Sequence, residues 1–175
     1  MATTIEAIAE AAGVAVQTVY YVFGTKRNVL AAVLDTSVAG DVEPVPVVDR
    51  PWVERIADAP DAASALELLV AEAVAIVART APVFEVVRAA AADPEIAVLL
   101  ADNRRNRRSD QRRLVGMLAD AGHLRGDLDA DTAADVFYAL VNEDVFHLLV
   151  GECGWDIARF TTWLTGLLVD QLAAR

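Results

Sequence analysis

The sequence predicts an all-helical protein in which a small helix-turn-helix domain precedes a larger helical domain. Through most of the 175 residues, apolar side chains recur at intervals of three and four positions, which is the spacing of one helix face. Capping residues, glycines and prolines divide this pattern into separate helices. No segment alternates apolar and polar residues between turn signals, as a strand would. We also find no internal repeat.

The first element is a helix followed by a tight turn. Thr4 is a suitable N-cap, and the apolar face consists of Ile5, Ile8 and Ala9. Gly13 then supplies the backbone freedom that a sharp turn requires. These residues predict a helix that ends at the glycine and turns directly into a second one.

The second helix is short, with Val16, Val19 and Phe23 on its inner face. The positions between them are small, polar or hydroxyl-bearing aromatic residues, namely Ala15, Gln17, Thr18, Tyr20 and Tyr21. Such an outer face suits a helix that meets a polar groove.

A third helix, from Lys26 to Val38, is expected to pack behind the first two. The proline-rich stretch from Gly40 to Arg50 reads as a connecting loop between two domains. We therefore predict one domain over residues 1–40 and a second over residues 50–175.

The larger domain is predicted to contain several helices in sequence. A short helix from Trp52 ends before Pro60, a central buried helix covers residues 63–79, and Pro82 breaks the chain and opens another short helix. Asp93 and Pro94 begin a long helix that reaches about residue 121. Two further helices are expected, one over residues 132–150 and one from Trp155 or Asp156 to Leu172.

The last two helices are too apolar for one subunit to cover them easily. We expect them to pair with the same helices of a second copy as a four-helix bundle across a two-fold axis. The alternative is a core helix inside one subunit with a loosely packed terminal helix. The interface residues that we predict are Val145, Leu148, Leu149, Phe160, Trp163, Leu164, Leu167 and Leu168.

Composition narrows the class of protein. Cys153 is the single cysteine and no cysteines and histidines have zinc-like spacing, so we expect no disulfide, metal or other cofactor. No apolar run suggests a membrane span or a signal peptide, and a cytoplasmic location is the expectation. No nucleophile and base are visible together, so an enzyme has weak support.

The net charge of −11 argues at first against nucleic acid as a partner, because phosphate binding is largely electrostatic. However, residues 1–36 carry Lys26 and Arg27 against Glu6, Glu10 and Asp35. Nearly all of the net negative charge therefore belongs to the larger domain.

The opening residues resemble the TetR-type bacterial transcriptional regulators. The resemblance rests on many positions in the order and spacing of that family: Thr4, Ile8, Ala9, Ala12, Gly13, Val14, Thr18, Val19, Tyr20, Phe23, Lys26 and Leu30. It covers about the first fifth of the chain closely. It implies a DNA-binding domain, an all-helical ligand-binding and dimerisation domain, and repression of transcription that a small molecule relieves.

The resemblance also implies roles for individual residues. Val16, Gln17, Thr18 and Tyr21 would approach base edges of a palindromic double-stranded DNA operator, while Thr4, Tyr20 and Lys26 would contact phosphates. Family members normally have a further helix before the position of Thr4. We therefore expect the first helix of the DNA-binding domain to be missing here, which would leave part of the apolar face of the small domain uncovered.

The long helix after Pro94 has polar residues, Asn103 and Arg107, in the middle of its apolar stripe, with Asp110 at the edge. A buried guanidinium needs a partner. Either a ligand pocket supplies it, or Arg107 pairs with a carboxylate, which is Asp110 or one on another helix. The other arginines of this helix are predicted to form a solvated face with local ion pairs.

The predicted pocket would take a mostly apolar effector with at least one polar group. Its predicted lining residues are Trp52, Phe84, Arg88, Asn103, Arg107, Met117, Phe137, Tyr138 and Asn142. The leading functional hypothesis is thus a homodimeric repressor that an effector releases from DNA. The alternative is a ligand-binding or dimerisation module that has lost DNA binding through loss of its first helix.

Overall fold

A computed structural model describes residues 3–43 and 45–174 of the chain. Residues 1, 2 and 175, at the ends of the two predicted domains, and residue 44 of the predicted linker lie outside the described residues. The predicted all-helical fold is confirmed. The helices are α1 (Ile5–Ala12), α2 (Val16–Phe23), α3 (Lys26–Ala39), α4 (Pro51–Ala57), α5 (Ala62–Ala89), α6 (Pro94–Asp120), α7 (Ala130–Leu140), α8 (Glu143–Phe146) and α9 (Ile157–Leu172).

The first two helices form as their capping residues predict. The Thr4 hydroxyl accepts a hydrogen bond from the Ala7 N–H at 3.2 Å and so caps α1. At the other end Gly13 has φ +67°, and the Val14 N–H returns to the Ala9 carbonyl at 3.0 Å. This left-handed turn costs glycine little, and it directs the chain straight into α2.

Helix α5 differs from the sequence prediction, because it runs through Pro82 without ending. Proline removes its own N–H bond and crowds the carbonyl four residues earlier, but Pro82 lies on the exposed side of the helix. The inner face of the helix is buried both before and after the proline, at Val77 and at Phe84 and Val87. Packing of this face outweighs the cost of the internal proline, so the predicted break is wrong.

The predicted single helix over residues 132–150 is interrupted. Asn142 has an extended backbone, and its Oδ1 accepts hydrogen bonds from the N–H groups of Asp144 and Val145 at 2.9 and 3.0 Å. An asparagine that caps a new helix competes with continuation of the old one. The chain therefore ends α7, restarts as α8, and continues as a π-helical turn over His147–Glu152.

The main core surrounds α5 and draws on α4, α6, α7, α8 and α9. Phe160, Leu164 and Leu168 of α9 are at most 1% exposed and belong to this core. They were expected at a dimer interface, but they face the interior of their own subunit. The buried stripe of α9 packs against α5, so this helix provides intramolecular packing. The alternative prediction gave the core helix correctly, but the terminal helix that it expected to be loosely packed is buried in the core.

A second cluster joins the small N-terminal unit to the rest of the chain. Leu34 of α3 packs with Phe84 and Val87 of α5 and with Ile96 and Leu100 of α6. Arg79 of α5 also donates to the carbonyl oxygens of Ser37 and Val38 at 3.2 and 3.3 Å. These contacts fix the C-terminal end of α3 against α5.

Candidate nucleic-acid interface and ligand cavity

Helix α2 presents most of its polar and aromatic side chains to solvent. Tyr21 is 91% exposed and Tyr20 is 50% exposed, and Gln17 and Thr18 are exposed beside them. Val16, in contrast, is half-buried against the small cluster that holds α1 to α2. The exposed face combines hydroxyls and an amide, which are groups that hydrogen-bond phosphates and base edges.

The turn between α2 and α3 is fixed by side-chain hydrogen bonds. Thr25 Oγ1 accepts from the Asn28 N–H at 3.2 Å, and Asn28 Nδ2 donates to the Phe23 carbonyl at 2.8 Å. Lys26 is thereby held at the first position of α3, where its side chain is exposed. Thr4 is exposed as well, at the start of α1, so both residues are accessible to a phosphate backbone.

A cavity of about 390 Å³ lies in the larger domain, against the C-terminal end of α3. One side of it is apolar and comes mainly from α5 and from the linker after α3. Residues on this side include Val45, Pro46, Val47, Leu69, Ile76 and Val77. Asp35, Val38 and Ala39 bring the end of α3 into the wall.

Most of the polar lining residues of the cavity come from one helix, α6. Its polar lining residues are Asn103, Asn106, Arg107, Asp110 and Gln111, and Glu143 of α8 adds a carboxylate. The cavity is thus amphipathic, which is typical of sites for small molecules with an apolar body and a polar end.

Arg107 is paired with a carboxylate on another helix, as one of the two sequence alternatives proposed. It forms an ion pair with Glu143, whose side chain is almost completely buried. Thr80 Oγ1 of α5 lies 3.3 Å from the other carboxylate oxygen, and the Arg107 guanidinium lies 4.7 Å from the centre of the Tyr138 ring. This network joins α5, α6, α7 and α8 beside the cavity.

The structure places four of the predicted ligand-binding residues in the cavity wall, namely Trp52, Asn103, Arg107 and Phe137. The other five lie elsewhere. Phe84 fills the cluster under α3, and Met117 packs on the main core. Arg88 pairs with Asp144, Tyr138 stacks under Arg107, and Asn142 caps α8.

Sequence reasoning missed Gln111 and the lining residues of the linker and of α5. Gln111 follows Arg107 by one helical turn, and that spacing on a mostly apolar face was an available signal. The linker residues gave no such signal, because their contribution depends on how the loop folds over the larger domain. Arg50 and Asp41 hold that loop, with atoms at 2.5 and 2.9 Å.

The arginines on the outer face of α6 form local ion pairs, which confirms the prediction of a solvated face. Arg105 pairs with Asp102 on its own helix. The others reach carboxylates elsewhere, in the pairs Arg108–Asp135, Arg112–Asp131 and Arg113–Asp49. The positive charge of this face is therefore largely compensated.

The Asp110 side chain gives a testable pH dependence. Burial raises the pKa of this carboxyl and Asp49 adds to the rise, although Arg113 opposes it. Because the folded-state pKa is above the unfolded one, ionised Asp110 destabilises the fold as pH rises through that range. We expect Asp110→Asn to raise the melting temperature at pH 7 and to have a smaller effect near pH 4.

This prediction is checked by thermal denaturation followed by circular dichroism between pH 4 and 8. Asp120→Asn, an exposed carboxylate at the end of the same helix, is the matched control. An Asp110→Asn variant that is less stable than wild type at pH 7 would contradict the assigned cause.

A family model supports the resemblance over the N-terminal segment. Residues 1–33 match the family model described as bacterial regulatory proteins, tetR family. No curated protein matches the chain. Among solved structures, the ketosteroid transcriptional regulator KstR2 of Mycobacterium tuberculosis matches with a TM-score of 0.48 and 17% identity, over 99% of this chain and 86% of that one.

The match over residues 1–33 covers α1, α2 and the first part of α3, which is the segment on which the sequence resemblance rests. It confirms the resemblance of this segment to the tetR family. Within the described residues, no helix is long and apolar enough to cross a membrane. In the same part of the chain, no group of histidine, cysteine and acidic side chains is arranged to hold a metal ion.

Proposed function

We propose that this chain, whose residues 1–33 match the tetR family model, is a homodimeric transcriptional repressor that a small amphipathic effector releases from DNA. In this proposal α2 enters the major groove, and α1 and the start of α3 contact the phosphate backbone. The predicted partners are a palindromic operator, a second copy of the chain and the effector.

The observation that carries the proposal is the solvent-facing surface of α2. Tyr20 and Tyr21 are large side chains at least half exposed, next to Gln17 and Thr18. Side chains as exposed as these contribute little to packing within the subunit. They suit a surface that hydrogen-bonds a polar groove, and the segment that presents them matches the tetR family model.

Dimerisation would use the outward surface of the last two helical segments. Leu148 is 51% exposed, and Trp163 and Leu167 are half-buried at the edge of the α9 core stripe. Val145 and Leu149 lie partly exposed beside Leu148. To read a palindromic operator, the two α2 helices of such a dimer would lie about 34–36 Å apart, which is one turn of DNA.

The position of α3 supports release by the effector. Its C-terminal residues Val38 and Ala39 form part of the cavity wall, and its N-terminal end adjoins the turn after α2. A ligand that fits better when the end of α3 is displaced would shift the population of α2 orientations. Arg79, which holds the Ser37 and Val38 carbonyls, would carry this displacement to α5.

Fluorescence anisotropy with a labelled duplex from the promoter beside the protein's own gene tests the proposal. We expect saturable binding at low salt, because the acidic net charge weakens non-specific association. If no duplex binds at low salt while small molecules still do, the chain is a ligand-binding module instead.

Gln17→Ala is expected to lower affinity for the operator about 5- to 100-fold, since a good bidentate contact to a base contributes about 1–3 kcal/mol. The melting temperature should not change, because Gln17 is exposed. Gln171→Ala, the same substitution at an exposed position of α9, is the matched control and should leave DNA affinity unchanged. Equal affinity of both variants would count against α2 as the reading helix.

A further inference from the structure

Two buried polar atoms on the α6 side of the cavity have no hydrogen-bond partner within the described part of the chain, Arg107 Nε and Gln111 Oε1. Both residues line the cavity, and Gln111 is only 8% exposed. They are separated by four positions on one helix, so they are neighbours on the same face. One atom is a hydrogen-bond donor and the other is an acceptor.

Each of these two side chains already has a partner through another of its atoms, which leaves these two atoms available for a ligand. Gln111 Nε2 donates to the Val141 carbonyl at 3.2 Å, which leaves Oε1 as the free end of the amide. A terminal nitrogen of Arg107 is held by Glu143, so the ion pair does not use Nε. Buried polar atoms without partners are costly, and a ligand that pairs both of them gains affinity for that reason.

The charges around the cavity select against an anionic ligand. Among the described residues that line the cavity, Arg107 is the one with a cationic side chain, and Glu143 already neutralises it. Asp35, Glu43 and Asp110 also line the cavity and add negative charge. A carboxylate or phosphate would accept from Arg107 Nε, but it would meet these carboxylates and could not donate to Gln111.

A cationic ligand meets the opposite difficulty. An ammonium group can donate to Gln111 Oε1, but it has no lone pair with which to accept from Arg107 Nε. A hydroxyl group can donate and accept at the same time. It is also neutral, so the surrounding carboxylates do not repel it.

We propose that the effector is a lipophilic alcohol or phenol whose hydroxyl accepts a hydrogen bond from Arg107 Nε and donates one to Gln111 Oε1. Its apolar body lies against the α5 and linker side of the cavity, where Leu69, Ile76 and Val47 are found. This inference rests on the proposed function, because it assigns the chemistry of the ligand to the cavity that the repressor would use.

Calorimetric titration of the full chain with matched compounds tests it. On both a naphthalene and a biphenyl scaffold, the hydroxyl compound is compared with the isosteric methyl compound, the carboxylate and the aminomethyl compound. We expect the hydroxyl compound to bind about tenfold tighter than the methyl compound on at least one scaffold, as two net hydrogen bonds would give. The carboxylate should bind most weakly.

Substitutions in the cavity wall then test which side chains bind the hydroxyl group. Gln111→Met keeps the side-chain length and removes the acceptor, so it should reduce the preference for hydroxyl over methyl to about threefold or less. Arg107→Lys retains a cation for Glu143 but lacks Nε, and it should act in the same direction. Asn106→Leu removes an amide from the same wall and should leave the preference unchanged.

The outcomes are separable from those of the DNA experiment. A methyl, carboxylate or aminomethyl compound that binds as tightly as the hydroxyl compound would overturn the inference, and so would failure of every compound to bind. Either result can occur while operator binding is intact. Conversely, a hydroxyl preference in a protein that binds no duplex would leave the inference standing and would overturn the proposed function.

Discussion

Glu143→Ala is expected to lower the free energy of unfolding by about 3 kcal/mol. The substitution leaves the Arg107 guanidinium in a largely buried position without its carboxylate, and loss of one partner of a buried pair typically costs about 3–5 kcal/mol. We expect the lower end because the Arg107 side chain keeps 20% of its exposure and water can reach part of it. Thr80 also loses a neighbouring acceptor.

Chemical denaturation at pH 7 measures this effect, with Asp135→Ala as the matched control. Asp135 forms an ion pair with Arg108 in which both side chains are more than half exposed, and such pairs contribute about 0–1 kcal/mol. The double variant Glu143→Ala with Arg107→Leu should recover part of the loss, because no charge is left unpaired. A change for Glu143→Ala no larger than that of Asp135→Ala would contradict a stabilising role for the network.

Leu148→Glu is expected to convert the proposed dimer into a monomer and to lower operator affinity at least about a hundredfold. Two linked reading helices gain about 10²–10⁴ in affinity over one, and a monomer loses this gain. Because Leu148 is 51% exposed in the subunit, the substitution should hardly affect folding of the monomer itself. Light scattering coupled to size exclusion, with the subunit mass of 18.7 kDa as reference, measures the change.

Leu164→Ala is the informative comparison for that experiment. Leu164 was predicted at the interface from sequence, but it is completely buried in the subunit core. Its truncation should therefore cost about 2–5 kcal/mol of stability and leave the oligomeric state unchanged. If Leu148→Glu remains dimeric, the outward face of the last two helical segments is not the interface.

The solvent-facing surface of α2 and the cavity were predictable from the sequence to different degrees. Thr4, Gly13 and the outer positions of α2 were identified from sequence, because caps, turns and helix faces depend on residues within four positions of one another. In the cavity, sequence identified Arg107 and Asn103 from their place on an apolar stripe. It did not identify the linker residues, whose position depends on the Arg50–Asp41 ion pair across the loop.

By itself the sequence determined the helical class, the caps and turns of the N-terminal segment and its family resemblance. The tertiary structure alone decided that α5 continues through Pro82, that α9 turns its leucine stripe inward, and that Arg107 pairs with Glu143. Helix formation is governed by near neighbours along the chain. Which face is buried, and which charges meet, depends instead on contacts between residues that are distant in sequence.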